Sequence, residues 1–228
     1  MSVRFPTLLK MASSDRSTTT PDTPPSAPTA YSCPISITEI QPHLYLGNLF
    51  SSLRSAVLEA NRITAVIHLM DGRCQWMKPS ILKIVPEANH LYIPCLDSAT
   101  MDLLPFMARV CDFIEEHARS SPGGGGGVLV HCHQGVSRSA SMVIAYIMRK
   151  QRVSVDDTLA AVKAKRRVRP NPNFMEQLRV WDAVGYQIWQ DSAGTIPKPE
   201  YQAFLDKRAI VLRSLGLTGD EPIGIQNL

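Results

Sequence analysis

The sequence is short of cysteine and has no long apolar run, and each shortage excludes a class of protein. Only five of the 228 residues are cysteine, and they lie far apart, without a C-x-x-C pair. We therefore expect neither a disulfide framework nor a zinc site built on paired cysteines. No apolar stretch approaches the roughly 20 residues of a membrane-spanning helix, so a membrane partner is not expected either.

An excess of one charge is also missing outside a single short stretch. The chain has 24 Lys and Arg against 20 Asp and Glu, a formal net charge of +4. Five of the positive side chains lie within residues 163–169, and the rest of the chain has 19 positive against 20 negative side chains. This local patch predicts an anionic partner and argues against a nucleic-acid-binding protein. It is open to interpretation as a nuclear localisation signal, as the edge of an active site, or as a solvated helix end.

Residues 131–139 read His-Cys-His-Gln-Gly-Val-Ser-Arg-Ser and carry the main signal for function. They follow the apolar residues 128–130 and precede a helical pattern over residues 140–148, which predicts a strand, a tight loop and a helix. The five residues between Cys132 and Arg138 allow the backbone N–H groups to surround an anion at a helix N-terminus. Arg138 can add a bidentate contact to the same anion. The surrounding positive potential favours a thiolate, so the pattern predicts a nucleophile directed at a phosphate ester.

This loop resembles the H-C-x-x-G-x-x-R-[ST] signature of the cysteine-dependent protein tyrosine phosphatase superfamily. The Gly-Val-Ser-Arg-Ser-Ala stretch narrows the resemblance to the dual-specificity phosphatases. The resemblance covers residues 37–183, and residues 169–171 are similar to the turn before the last core helix of that family. Because only residues 1–31 precede the expected domain, we place the chain among the small, atypical members, which lack a large N-terminal docking domain.

The resemblance implies the roles of four residues in catalysis. Cys132 is the expected nucleophile, which forms a cysteinyl-phosphate, and Arg138 binds the phosphate and stabilises the transition state. Ser139 carries the hydroxyl that helps the thiolate leave when water attacks this intermediate. Asp97 is the expected general acid, because family members place an aspartate six residues before a leucine that begins the next helix, here Leu103.

One rival acid competes for these roles, and two further residues are expected to support them. Asp97 is also open to interpretation as a helix cap or a surface acid of its loop. Asp102 is the rival general acid, but its position directly before Leu103 favours an N-cap. The resemblance suggests that Asn171 braces the loop, and a simple turn-forming asparagine is the alternative. His131 is expected to orient the loop through hydrogen bonds to the neighbouring backbone.

Substrate binding is assigned to the loop itself. The residues expected to surround the phosphate are His133, Gln134, Gly135, Val136, Ser137 and Arg138. Gly135 allows the backbone to approach the anion closely, and Ser137 is expected mainly to support the loop. His133 is equally consistent with an ordinary solvent-exposed residue. No metal or other cofactor is expected, because consecutive side chains at positions 131–133 point apart and Arg138 with the N–H groups takes the place of a metal.

Three segments follow from the composition along the chain. Residues 1–31 are rich in Ser, Thr and Pro and predict a disordered arm, although residues 1–11 are also compatible with a mitochondrial presequence. The phosphatase domain is expected over residues 32–190. Residues 191–228 form an extension that is expected to be partly helical, because apolar residues between positions 201 and 215 have helical spacing. The sequence leaves open whether that helix packs on the domain or binds a partner.

Alternating strands and helices predict an α/β fold with a central, mostly parallel sheet flanked by helices, as in protein tyrosine phosphatases. The predicted strands are residues 35–40, 44–46, 64–69, 90–95 and 128–131. The predicted helices are residues 49–58, 103–117, 138–150, 154–168, 173–189 and 201–215. An extended segment over residues 71–89 and a flexible glycine-rich loop over residues 120–127 separate some of these elements.

The predicted function is hydrolysis of phosphotyrosine and of phosphoserine or phosphothreonine esters in proteins, through a cysteinyl-phosphate. One alternative is a phosphatase of a phosphoinositide or an RNA 5′-phosphate, but phosphoinositide-type loops usually carry lysines that are missing at positions 133–137. Another is a phosphoprotein-binding scaffold with incidental catalysis, although binding-only members usually lack the cysteine. A reactive thiolate predicts a reducing compartment, the cytoplasm or the nucleus. The oligomeric state is left open.

Overall fold

The computed structural model of the chain describes residues 34–71, 82–119, 126–219 and 221. The predicted arm at residues 1–31, with its alternative as a presequence, lies outside these ranges. Most of the glycine-rich loop at residues 120–127 and the middle of the segment at residues 71–89 lie outside them as well.

A five-stranded sheet forms the centre of the part of the chain that the structure describes. Its strands are β1 (Ile37–Gln41), β2 (Leu44–Asn48), β3 (Ile63–Met70), β4 (His90–Pro94) and β5 (Gly127–Cys132). The order across the sheet is β1-β2-β5-β3-β4, with β1 antiparallel to β2 and all other neighbours parallel. The predicted strands and the mostly parallel sheet are therefore confirmed. The carboxyl ends of β3, β4 and β5 meet at one edge, where parallel sheets of this kind place their sites.

The helices flank this sheet in the order that the sequence predicts. They are α1 (Leu49–Ser52), α2 (Ser55–Ala60), α3 (Leu104–Arg119), α4 (Arg138–Gln151), α5 (Val155–Lys165), α6 (Pro172–Ala183) and α7 (Pro199–Ser214). Two of the predicted helices differ clearly from this list, whereas the others agree with it to within three residues at each end. The single helix expected over residues 49–58 is divided into α1 and α2, and the helix expected over residues 173–189 ends at Ala183.

Both differences have local causes. In α1 the hydroxyls of Ser51 and Ser52 donate to the carbonyl oxygens of Asn48 and Leu49, and such local bonds compete with continuation of a helix. At the end of α6 the amide of Gly185, with φ of 66°, donates to Asp182, and the next amide donates to Trp181. This pair of bonds is the Schellman arrangement that terminates helices.

The two faces of the sheet bury different cores. Side chains alternate between the faces along β3 and β5. Ile67 and Cys132 lie in the large core covered by α3, α4 and α6, whereas Val66 and Leu129 lie in a smaller core covered by α2. Because His131 alternates with Cys132, the two neighbours in sequence lie on opposite faces of the sheet.

Helix α4 is the central support of the larger core. All residues from 139 to 148 are buried, and the helix packs against α3, α5 and α6. A helix that is covered on every side has a fixed position, so the N-terminus of α4 is held firmly at the end of β5.

Helix α7, from the predicted extension, packs on the same compact unit as the sheet. Tyr201 and Phe204 are buried, and the Tyr201 hydroxyl donates to Oδ2 of Asp102 at 2.8 Å. Arg208 Nε donates to the carbonyl oxygen of Thr100 at 2.6 Å. The structure thus places α7 against the loop that follows β4. Within the described ranges, no helix is long and apolar enough to cross a membrane.

Candidate active site

A loop of five residues joins the end of β5 at Cys132 to the start of α4 at Arg138. Its tightest point is Gly135, which has φ of +70°. A Cβ atom at this position would lie 2.4 Å from the carbonyl oxygen of Gly47 on β2. Both the left-handed conformation and the lack of space therefore require glycine here. The sequence predicts a close approach at Gly135, but the contact with β2 is a feature that only the structure shows.

The thiol of Cys132 lies at the centre of this loop and is 2% exposed. Its sulfur accepts hydrogen bonds from the Gly135 amide and the Ser139 hydroxyl, each at 3.2 Å. Burial by itself would raise the pKa of the thiol. The positive charge of Arg138 and the hydrogen bonds from Ser139 and Gly135 outweigh this effect, so the pKa of Cys132 lies below its ordinary value. The loop therefore favours the thiolate.

Arg138 anchors one side of the same site. Its Nη1 donates to the carbonyl oxygen of Cys95, directly after β4, at 3.1 Å. Its Nε atom is buried and has no hydrogen-bond partner among the described residues. An unpaired buried donor is unfavourable, and an oxygen of an anion bound over the loop would satisfy it.

The structure places Asp97, but not Asp102, beside the loop. Oδ1 of Asp97 accepts from the Ser137 hydroxyl at 2.9 Å and from Nδ2 of Asn171 at 2.7 Å, and Oδ2 lies 3.9 Å from Nε of Arg138. Asp102 instead accepts from the Leu104 amide at 3.0 Å, at the start of α3, and from the Tyr201 hydroxyl. The geometry thus agrees with the prediction that Asp102 caps a helix, and it leaves Asp97 as the carboxylate of the site.

Asn171 has both of the roles that the sequence leaves open, since it forms the turn before α6 and also braces the loop. It is the N-cap of α6, since its Oδ1 accepts from the Phe174 amide at 2.9 Å. Its Nδ2 holds Asp97, and its backbone amide donates to the Ser137 hydroxyl at 3.1 Å. One residue therefore links the start of α6 to the loop and to the carboxylate.

Arg166 is a supporting residue that the sequence does not single out. It is 9% exposed, and its Nε donates to the carbonyl oxygen of Gly135 at 3.0 Å while Nη1 donates to the Thr38 hydroxyl at 3.2 Å. The Arg169 amide donates to the carbonyl oxygen of Val136 at 2.9 Å. Part of the basic patch therefore holds the loop in place. The position of this patch directly before Arg-Pro-Asn is the signal that points to it.

His131 has two hydrogen-bond partners, one of which the sequence predicts. Its Nδ1 lies 3.5 Å from the carbonyl oxygen of Cys132, which is a long hydrogen bond to the neighbouring backbone. Its Nε2 is 2.8 Å from Nδ1 of His68. Burial lowers the pKa of the His131 imidazole to about 4. The sequence does not show the contact with His68, because pairing across the sheet brings His68 opposite His131.

These groups line a cleft of about 610 Å³. Its lining residues are Asp97, Cys132, His133, Gln134, Val136, Ser137, Arg138, Arg169, Pro170, Asn171 and Pro172. Of the predicted site residues, Gly135, Ser139 and His131 are buried and are absent from this lining. Gly135 and Ser139 donate to the Cys132 sulfur, and His131 contacts the Cys132 carbonyl oxygen. His133 and Gln134 are exposed at the rim. No group of three or more metal-ligating side chains occurs among the residues that the structure describes.

Comparison with known proteins identifies the family. The family model described as "Dual specificity phosphatase, catalytic domain" matches residues 44–184. The chain therefore belongs to the family of dual specificity phosphatase catalytic domains.

Individual relatives agree with this assignment. The chain is 39% identical over 142 residues to human dual specificity protein phosphatase 16, which covers 62% of this chain and 20% of that protein. It is 36% identical over 169 residues to human dual specificity protein phosphatase 1, over 71% of this chain and 42% of that protein. The chain thus spans less than half the length of each of these two relatives.

Solved structures show the same fold. The human tyrosine phosphatase-like serine/threonine/tyrosine-interacting protein matches with a TM-score of 0.59 and 31% identity, over 65% of this chain and 96% of that one. The structure of DUSP15 matches with a TM-score of 0.59 and 30% identity, over 66% and 90% of the two chains. The α/β fold of the protein tyrosine phosphatases, predicted from the loop, is therefore confirmed.

Proposed function

We propose that this protein hydrolyses phosphotyrosine and phosphoserine or phosphothreonine esters of proteins through a cysteinyl-phosphate on Cys132. The observation that carries the proposal is the environment of the Cys132 sulfur. It receives two hydrogen bonds of 3.2 Å inside a loop that Arg138 closes. A thiolate in such a ring of donors is a nucleophile beside an anion site, which is the arrangement that attack on a phosphate ester needs.

The first step transfers the phosphoryl group to sulfur. The loop amides and Arg138 bind the phosphate oxygens, and the Cys132 thiolate attacks phosphorus opposite the leaving oxygen. An S–P bond forms as the P–O bond breaks, and the leaving oxygen takes a proton from Asp97. Oδ1 of Asp97 is already engaged by Ser137 and Asn171, so Oδ2 is the atom that would carry this proton.

The second step returns the enzyme to its starting state. Water attacks the phosphorus of the cysteinyl-phosphate and loses a proton to the Asp97 carboxylate. The S–P bond breaks, and the electron pair returns to Cys132 as a thiolate. The Ser139 hydroxyl, which lies 3.2 Å from the sulfur, stabilises the charge that develops there. The products are inorganic phosphate and the free hydroxyl of the substrate.

The rim of the cleft supports a protein substrate over a phosphoinositide. Between Cys132 and Arg138 the chain carries no lysine, and the exposed side chains there are those of His133 and Gln134. A highly charged inositol phosphate would gain little from such a rim. A thiolate nucleophile also needs a reducing compartment, so we place the protein in the cytoplasm or the nucleus.

Turnover of a simple aryl phosphate and of peptides with one phosphotyrosine or one phosphothreonine tests the proposal. Activity should persist in EDTA and be inhibited competitively by vanadate, which can adopt the five-coordinate geometry of phosphoryl transfer. Cys132→Ser should abolish turnover yet keep phosphate-ester binding, because the serine hydroxyl stays protonated while the loop donors remain. Cys111→Ser, in the core away from the cleft, is the matched control and should remain active.

Three outcomes would contradict this function. They are activity of Cys132→Ser within tenfold of the unmodified protein, dependence on an added divalent ion, and binding of phosphopeptides without turnover. The last of these would support the scaffold alternative. Capture of phosphoproteins on Cys132→Ser, followed by their identification, would then define the substrates.

A further inference from the structure

Asp97 belongs to the loop that joins β4 to α3, residues 95–103. Its carboxylate is held on the side of the site by the Ser137 hydroxyl and by Nδ2 of Asn171. A catalytic side chain on a loop is only as well placed as the backbone that carries it. The contacts that fix the rest of this loop therefore decide where Asp97 lies.

Helix α6 holds part of the loop backbone. Nδ2 of Asn173 donates to the carbonyl oxygens of Ser98 and Met101, at 3.2 and 2.8 Å. Gln177, which is fully buried, donates to the Met101 carbonyl oxygen at 2.7 Å and accepts from the Leu103 amide at 2.6 Å. These bonds anchor the loop on either side of residue 100.

Residue 100 itself is anchored from α7. Thr100 is 3% exposed, and its carbonyl oxygen accepts from Nε of Arg208 at 2.6 Å. Tyr201 lies about two helical turns earlier on the same face of α7, where it is buried and donates to Oδ2 of Asp102. Helix α7 lies beyond residues 44–184, which the family model matches, so this anchor comes from outside the shared domain.

We propose that Arg208 is a positioning residue for the general acid, which holds the backbone of Thr100 and so keeps Asp97 within reach of the leaving oxygen. The inference rests on the proposed function, because it assigns a support to the acid of that reaction. A buried carbonyl without a donor is unfavourable, so loss of the Arg208 N–H would draw the Thr100 backbone towards water. Asp97 is close to Thr100 in the chain, and a displacement of about 1 Å is enough to slow catalysis by up to about 100-fold.

Substitutions at position 208 distinguish the hydrogen bond from the charge of the side chain. In Arg208→Gln the amide nitrogen follows Cδ, as Nε does in arginine, so a neutral N–H donor remains available to Thr100. Arg208→Met keeps a side chain of similar length but has no donor. Lys207→Met is the control for a change in α7, because Lys207 is exposed and its partner is Glu176 of α6, at 2.9 Å.

The dependence of kcat/KM on the leaving group, measured on the full chain, reports how well Asp97 is placed. Phenyl phosphate needs a proton on its leaving oxygen, whereas dinitrophenyl phosphate has a more acidic leaving group and needs little protonation. In Arg208→Met we expect kcat/KM to fall about tenfold for phenyl phosphate, a part of the usual general-acid contribution, and by less than about twofold for dinitrophenyl phosphate. Arg208→Gln and Lys207→Met should behave like the unmodified protein with both substrates.

A second comparison shows whether the effect passes through Asp97. When Asp97→Asn has already removed the acid, Arg208→Met should lower kcat/KM for phenyl phosphate no further. A loss of stability alone would instead reduce the activity towards both substrates equally, and it would do so in the Asp97→Asn background as well.

Turnover of dinitrophenyl phosphate by the unmodified protein tests the proposed function separately, so a failure there is distinguishable from a failure of this inference. The positioning role is wrong if Arg208→Met keeps full activity towards phenyl phosphate or loses activity equally with the two substrates. A defect of the same size in Arg208→Gln, or a further loss in the Asp97→Asn background, also contradicts it.

A measurement on the unmodified protein tests the inference even if Arg208→Met does not fold. Exchange of the Arg208 Nε–H proton with solvent, followed by NMR spectroscopy, should be slower than that of Arg213, which is exposed on the same helix. Equal exchange rates at the two arginines would overturn the inference, because they would show that Arg208 does not hold the Thr100 carbonyl.

Discussion

At the scale of single residues, the site depends on the balance between burial and donated hydrogen bonds at Cys132. Burial opposes ionisation of the thiol, and Arg138, Ser139 and Gly135 together reverse this effect. The carboxylate at Asp97 is held by two neutral donors, Ser137 and Asn171. The side-chain contacts of Ser139, Ser137 and Asn171 can each be removed by one substitution with little change in volume.

The first prediction concerns Ser139→Ala. Loss of a hydrogen bond to the charged form raises the pKa of the Cys132 thiol, so the acid limb of the pH profile of kcat/KM should move to higher pH. The profile measured with an aryl phosphate checks the direction. Because Ser139 also stabilises the departing thiolate, kcat should fall more than kcat/KM. An acid limb that stays in place would show that the hydroxyl does not act on the thiolate.

Asp97→Asn should slow turnover of phosphopeptides about 100-fold or more, the usual contribution of a general acid. The basic limb of the pH profile should disappear, and the defect should shrink for leaving groups that need little protonation. Asp102→Asn is the control, since Asp102 caps α3 and does not line the cleft. If Asp102→Asn removes the basic limb and Asp97→Asn keeps it, the two assignments must be exchanged.

At the scale of elements, the sequence predicts the kind and order of the helices and strands better than the contacts between them. The strand, loop and helix around Cys132 follow from an apolar run, a glycine and a helical pattern that are contiguous in the chain. The contacts Gly135–Gly47 and His131–His68 join residues far apart in sequence, and register alone creates them. The sequence does not predict the burial of Arg166 either, because its contacts with Gly135 and Thr38 also join residues far apart in the chain.

Helix boundaries show where local signals compete. The side chains of Ser154 and Asn171 accept hydrogen bonds from backbone amides at the starts of α5 and α6. A polar residue directly before a helical pattern predicts such a start from the sequence. The apolar pattern predicts too late an end for α6, because it continues to Ile188, which is buried although it lies outside the helix. The periodicity therefore predicts correctly that Ile188 is a core residue, but wrongly that it belongs to a helix.

The loop gives a prediction at this scale, with a control of matched conformation. Gly135→Ala adds a Cβ atom at positive φ and against the Gly47 carbonyl oxygen, so it should abolish turnover and destabilise the fold. Gly185→Ala has φ of +66° and no atom within 4 Å of the new Cβ. Gly185→Ala should lower the free energy of unfolding by only about 1–2 kcal/mol, the cost of the left-handed conformation, and should keep its activity. Urea unfolding and aryl phosphate turnover of both variants test this, and an active Gly135→Ala would contradict the contact.

At the scale of the whole molecule, α7 joins the carboxyl-terminal part of the chain to the loop that carries Asp97. Tyr201 hydrogen-bonds Asp102, and Arg208 hydrogen-bonds Thr100, so two contacts reach the same loop. The sequence predicts the helix and its apolar side but not its place. Its position depends on partners about a hundred residues earlier, at Asp102 and Thr100.

Tyr201→Phe should lower the free energy of unfolding by about 1–3 kcal/mol, because it leaves a buried carboxylate short of a donor. Burial already raises the pKa of Asp102, and the Tyr201 hydrogen bond opposes this. Without that bond the folded-state pKa rises further, so the loss should be largest at neutral pH and shrink as Asp102 becomes protonated in acid. Urea unfolding at neutral pH and at acidic pH measures this loss of stability. Tyr186→Phe, which removes a bond to the exposed Asp182, should have little effect, and equal losses in the two variants would contradict the argument.

The docking of α7 has a practical consequence for anyone who prepares this protein. A recombinant fragment trimmed to residues 44–184, the stretch that the family shares, would lack both α7 and β1. It would uncover the apolar surface beneath Tyr201 and Phe204 and remove Thr38 from Arg166. Such a fragment is a poor choice for crystallisation or ligand screening, because its newly exposed surface would promote self-association. Fragment ends are better chosen from packing than from sequence similarity.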